Sequence, residues 1–139
     1  MVTTLLIVHY LSFVVGAGGS FIAFLIARRI AASRPEEAAV LRTLPPRISD
    51  AAMVSLALLW LTGIALGLLK YGGFSGLGWA FSVKMVFVVA LTLVGVAIRI
   101  EMRRARRGVA VAVANLARLG PWTLVTSWLA IVFAVIAFG

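Results

Sequence analysis

The chain has no cysteine, one histidine and four acidic residues among 139. The missing cysteine excludes a disulfide framework, a thiolate metal site and a cysteine nucleophile. One histidine and so few carboxylates supply neither a Ser/His/Asp set nor a zinc-protease helix, and no phosphate-binding loop is present. Charge is sparse as well, at 12% of residues against 63% hydrophobic, a balance that does not describe a soluble domain.

What the sequence does have is long apolar runs. Val2–Ala27, Ala51–Leu69, Trp79–Ile98 and Pro121–Phe138 each reach the roughly 17–25 residues that cross a bilayer. They predict an integral membrane protein with an all-α fold, a four-transmembrane-helix bundle. It forms one domain over residues 1–139, with helices about 2–27, 51–69, 79–100 and 121–138. The first run has no basic residue ahead of it and, at about 25 residues, exceeds the roughly 7–15 of a cleaved signal segment, so it counts as a helix.

The net charge of +9 has a simpler explanation than nucleic-acid binding, because the basic residues crowd two of the three connections. Arg28, Arg29, Arg34, Arg42 and Arg47 belong to the first; Arg99, Arg103, Arg104, Arg106, Arg107 and Arg118 lie at or within the third; the second holds only Lys70. Positively charged connections stay in the cytoplasm. Both termini and the Lys70–Gly78 turn are therefore expected on the opposite side, in a bacterial inner membrane. The Arg103–Arg107 cluster either only fixes this topology, the reading that the general charge rule favours, or also binds anionic lipid head groups. Arg103–Leu119 is helical in composition; it prolongs the third helix or lies in the interface until Gly120-Pro121 breaks it. Pro45-Pro46 marks a break in the first connection, with Ser49 or Asp50 as the cap of the second helix.

His9 and Lys84 sit inside apolar runs, where ionisable groups are costly and usually face the protein interior or a cavity. Ser12, Gly16, Gly19, Ser20, Ala23 and Ala27 follow His9 on one helical face, a small-residue stripe of the kind that lets helices approach closely in lipid. Gly63 and Gly67 form a GxxxG pair, read as plain packing. Lys84, Val88, Thr92, Gly95 and Arg99 line one face of the third helix. His9 and Lys84 each lie about 8–10 Å from the same end of their helices, so the two are expected to face one cavity. Either nitrogen, when neutral, can ligate a metal, and histidine is the usual protein ligand of haem iron. Set against this are a ring merely hydrogen-bonded to a neighbouring carbonyl or hydroxyl, and an amine that snorkels to the interface.

Three segments carry a family resemblance: Val8-His9-Tyr10 with Gly16-Ala17-Gly18-Gly19, Arg47-Ile48-Ser49 leading into Leu61-Thr62-Gly63, and Gly78-Trp79 with Lys84. In order and spacing they resemble the superfamily of four-helix membrane proteins that includes the CopD copper-resistance domain and the HemJ-type protoporphyrinogen oxidase. The resemblance covers nearly the whole chain. It implies that His9 matches the first-helix histidine, a haem-ligand candidate, that Lys84 matches the third-helix lysine, and that Pro121 opens the last helix. HemJ-like chains tend to carry a second histidine where this sequence has Arg28-Arg29, and Asn-Glu where it has Leu119-Gly120. Bis-histidine ligation within one chain is thus excluded. A His9/Lys84 axial pair, a five-coordinate haem and a haem shared between subunits stay open.

Three functions follow in order. The first is redox-linked binding of haem b with His9 as axial metal ligand, Lys84 as second ligand or as a propionate or substrate contact, and Arg47 as an anion contact at the cytoplasmic end. Asp50 is placed to pair with Arg47 across one turn. The second is a non-catalytic accessory subunit, suggested by small size, small-residue stripes and aromatic residues near the helix ends (Tyr10, Trp60, Tyr71, Trp79, Trp122). The third is copper transport, for which one histidine and Met85 make a poor conduit in a chain without soft thiolates. A homo-oligomer and a larger membrane complex are both open as assemblies, and no nucleic-acid partner is expected.

Overall fold

A computed structural model describes residues 1–75 and 77–138, the last by its backbone alone. Its elements are α1 (Val2–Ala32), a short α2 (Pro35–Leu41), α3 (Leu44–Tyr71), α4 (Trp79–Arg106) and α5 (Ala110–Phe138). Among the described residues there is no strand, and α1, α3, α4 and α5 are each long and apolar enough to cross a membrane. A helix of 28 residues extends about 42 Å. That matches a bilayer with its head groups, roughly 40–45 Å, better than the hydrocarbon core alone.

The extra length lies at the arginine-rich end, and three sequence expectations change there. Pro45 and Pro46 do not break the chain ahead of the second long helix; they occupy the first turn of α3, which begins at Leu44. A missing N–H costs nothing in a first turn, where that donor has no partner in the helix anyway. Ser49 and Asp50 are consequently internal residues and not caps. The N-cap is Thr43, whose hydroxyl donates to the Val40 carbonyl at 2.7 Å and caps nothing in α3. The third connection shrinks to a turn around Gly108, whose φ of 81° suits glycine. Arg103–Arg106 finishes α4, while 110–119 opens α5, which runs on through Pro121. Two residues past that proline the Thr123 hydroxyl donates to the Gly120 carbonyl at 2.6 Å; the carbonyl that the proline deprives of its N–H is that of Ala117.

The four long helices pack as two pairs, α1 with α3 and α4 with α5; α1 touches α5 more lightly, and α3 scarcely meets α4. Small and hydroxylated residues make the tight contacts. Ser12, Ser55, Thr62, Thr126 and Ser127 are buried, along with Leu56, Leu66, Ala80, Ala112 and Ala130, and among the described residues no large side chain is fully buried. The hydroxyls of Ser55, Thr62, Thr126 and Ser127 donate to the carbonyl four residues earlier, at 2.6–2.9 Å, so the close approach leaves them satisfied. Large apolar side chains such as Leu11, Val54, Leu61, Val86 and Leu93 are exposed instead, which suits contact with acyl chains.

Between α3 and α4 the polar links are few. Trp60 Nε1 donates to Thr92 Oγ1 at 3.1 Å, and Arg99 pairs with Asp50 at 2.8 Å. Asp50 therefore does not serve Arg47. With 65% of the Asp50 side chain exposed, such a pair contributes about 0–1 kcal/mol. It tethers the two helices without closing the space between them.

Candidate functional site

That space is a cavity of about 1790 Å³ running between the two helix pairs, and His9, Lys84 and Met85 all line it. His9 comes from the first third of α1 and Lys84 from the start of α4. Antiparallel helices bring them to the same end of the bundle. Lys84 lies within electrostatic range of His9, and its Nζ stands 5.9 Å from the centroid of the Phe81 ring. The cavity expected from helical spacing is present, with both ionisable groups on its wall.

The hydrogen bonding of His9 defines its chemistry further. Nδ1 lies 2.7 Å from Thr62 Oγ1. The one hydroxyl proton of Thr62 goes to the Leu58 carbonyl, 2.6 Å away, because a carbonyl can only accept. Thr62 Oγ1 must then accept from His9, which places the ring proton on Nδ1. In the neutral ring Nε2 keeps its lone pair, and it makes no hydrogen bond among the described residues. A histidine whose inner nitrogen donates and whose outer nitrogen is left as a lone pair has the arrangement of a metal ligand held by its surroundings.

Gly63, next to Thr62, faces the ring: a Cβ there would sit 3.5 Å from His9 Cε1, in ordinary van der Waals contact, and anything larger would meet the ring. Gly67, one turn further, lies directly under Phe74, and a Cβ at Gly67 would collide with that ring. Phe74 in turn stacks on Phe81, 5.9 Å between centroids. The GxxxG pair thus receives two aromatic rings from elsewhere in the chain rather than the backbone of a partner helix. The sequence marks Leu61-Thr62-Gly63 as a family-like segment and Gly63 as half of the GxxxG pair; the hydroxyl that holds His9 and the small residue beside the ring are assigned by the three-dimensional register of α1 against α3.

Arg47 stands apart. It is exposed on the first turns of α3 and does not line the cavity, about 22 Å along the helix from Thr62. Arg28, Arg42 and Arg106 line the cavity at that end instead. Among the described residues no three histidine, aspartate or glutamate side chains converge as a metal cluster, so a metal held near His9 would need its other ligands from a cofactor, from Lys84 or Met85, or from outside the chain. Compared with protein-family models, curated proteins and solved structures, the chain finds no match.

Proposed function

We propose that this chain is an integral membrane protein of the bacterial inner membrane that binds haem b and serves a redox role. The observation that carries this reading is the His9–Thr62–Leu58 hydrogen-bond chain on the wall of a large, mostly apolar cavity. It presents one imidazole lone pair, held in place by its other nitrogen. Cavities between bundle helices are regular cofactor sites, and about 300–1,000 Å³ suffices for most small ligands. Haem would supply one-electron chemistry, with its potential tuned by axial ligand and burial. His9 would hold the iron, while Lys84 would serve as the second ligand or as a contact for a propionate.

The arginine-rich end is assigned to the cytoplasm by the distribution of basic residues, and its connections would contact anionic head groups there. A reporter fused to the C-terminus that works only outside the cytoplasm should be active; activity of a cytoplasm-only reporter in its place would reverse the orientation. For the cofactor, the pyridine-haemochrome assay on chain purified from membranes should find haem in stoichiometric amount in the native protein and none in His9→Ala. Equal haem in both would remove His9 from the site. A folded chain without haem would favour the accessory-subunit reading, to which the thin contact between the helix pairs also lends itself.

A further inference from the structure

The end of the cavity far from His9 has its own chemistry. Arg28, Arg42 and Arg106 line it, from the last turns of α1, the end of α2 and the last turn of α4. Among the described residues no aspartate or glutamate lines the cavity. The chain has only four acidic residues, and three of them are committed elsewhere: Glu37 to Arg29, Asp50 to Arg99 and Glu101 to Arg104, at 2.7–2.8 Å. None of the three arginines on the cavity wall is in an ion pair among the described residues; Arg28 lies over the Phe24 ring, 6.0 Å from its centroid. Beyond them the wall is apolar, with Ala27, Ile30, Ala31, Met102, Ala105 and Leu116.

We propose that this end of the cavity is a binding site for one anionic phospholipid. Its phosphate is held by Arg28, Arg42 and Arg106, and an acyl chain lies in the gap between the α1/α3 and α4/α5 pairs. Charge complementarity selects the head: guanidinium groups take phosphate in bidentate fashion, and three of them with no carboxylate in ion-pair contact among the described residues disfavour a head of zero net charge. Shape and polarity select the tail, because a wide apolar gap between helices in a bilayer has acyl chains as its nearest filling. Bound this way the lipid joins two helix pairs that touch each other only lightly. This is a site within the bundle and not the diffuse attraction that any basic connection exerts. It does not rest on haem, since Arg28 is about 28 Å along α1 from His9.

The test is native mass spectrometry of the whole chain in detergent, titrated with phosphatidylglycerol, phosphatidylcholine or inorganic phosphate. Phosphatidylglycerol should bind at least tenfold tighter than phosphatidylcholine, and inorganic phosphate should not displace it. Replacing Arg28, Arg42 and Arg106 together by glutamine should weaken phosphatidylglycerol about 100-fold, whereas replacing Arg34, Arg103 and Arg107, which are equally exposed but off the cavity, should change it less than threefold. Equal weakening by both sets would reduce the effect to surface charge and overturn the site. Displacement by inorganic phosphate would make it an ion site, and equal affinity for the two lipids would leave no head-group selection; either result overturns the proposal. Should the triple glutamine variant fail to fold, the lysine version, which keeps the charge, and the lipid preference of the native chain decide the matter.

Discussion

Thr62→Val is expected to leave the chain folded and to weaken haem binding by about 10–100-fold, the usual effect of removing the partner that orients a ligand histidine. Valine keeps the branched shape and loses the oxygen that accepts from His9 Nδ1. Two things follow in the native packing. The ring loses its orientation, and the tautomer with a lone pair at Nε2 loses its advantage over the other. The buried N–H also goes unsatisfied, at a cost of about 1–3 kcal/mol. Thr62→Ser restores the oxygen and should restore most of the affinity, which separates a hydrogen-bonding role from a packing one. If affinity were unchanged in Thr62→Val, the hydrogen bond would have no part in holding a ligand, and His9 would be a core residue satisfied by its neighbour.

Gly63 gives the second large effect, graded by size. Gly63→Ala puts a Cβ at 3.5 Å from His9 Cε1, an ordinary van der Waals distance. It should bind haem normally and gain a few tenths to about 1 kcal/mol of stability, since glycine is a poor residue inside a helix. Gly63→Leu has no such room. Its side chain must push the ring aside or splay α1 from α3, an overpacking cost of about 1–3 kcal/mol, and haem content should fall to background while the helical signal of the chain persists. Full haem in the leucine variant would show that the ring near Gly63 is not where the iron is held.

Much of this arrangement can be read from the residues alone. Four apolar runs translate into four long helices, because a bilayer demands that length and the composition leaves little else. The placing of His9 and Lys84 on one cavity follows from counting along antiparallel helices. Helix ends are another matter. Pro45-Pro46 and Gly120-Pro121 look like stops by the rules for water-soluble helices, yet the first pair starts α3 and the second lies inside α5. At Pro45-Pro46 the missing N–H falls in a first turn, where it has no partner to lose; at Pro121 the helix continues despite the loss, as helices in membranes tolerate. Partner choice was equally hidden. Arg47 is three residues from Asp50, the natural pair by helical spacing, but the partner that reaches Asp50 is Arg99 from α4. Thr62 and Phe74 could not be assigned to His9 and Gly67 without knowing how α1 faces α3 and how the chain after Gly72 folds back. Gly72 itself, at φ 67°, ends α3 in the left-handed region that glycine favours.

Haem iron held by His9 through the nitrogen that Thr62 leaves available would show most directly in the visible spectrum of the purified chain, oxidised and dithionite-reduced, beside His9→Ala. A Soret band with a sharp reduced α-band, present in the native chain and absent from a folded variant, is the predicted result. A native chain that folds and stays colourless after supply of haem, or a spectrum unchanged by the loss of His9, would contradict it.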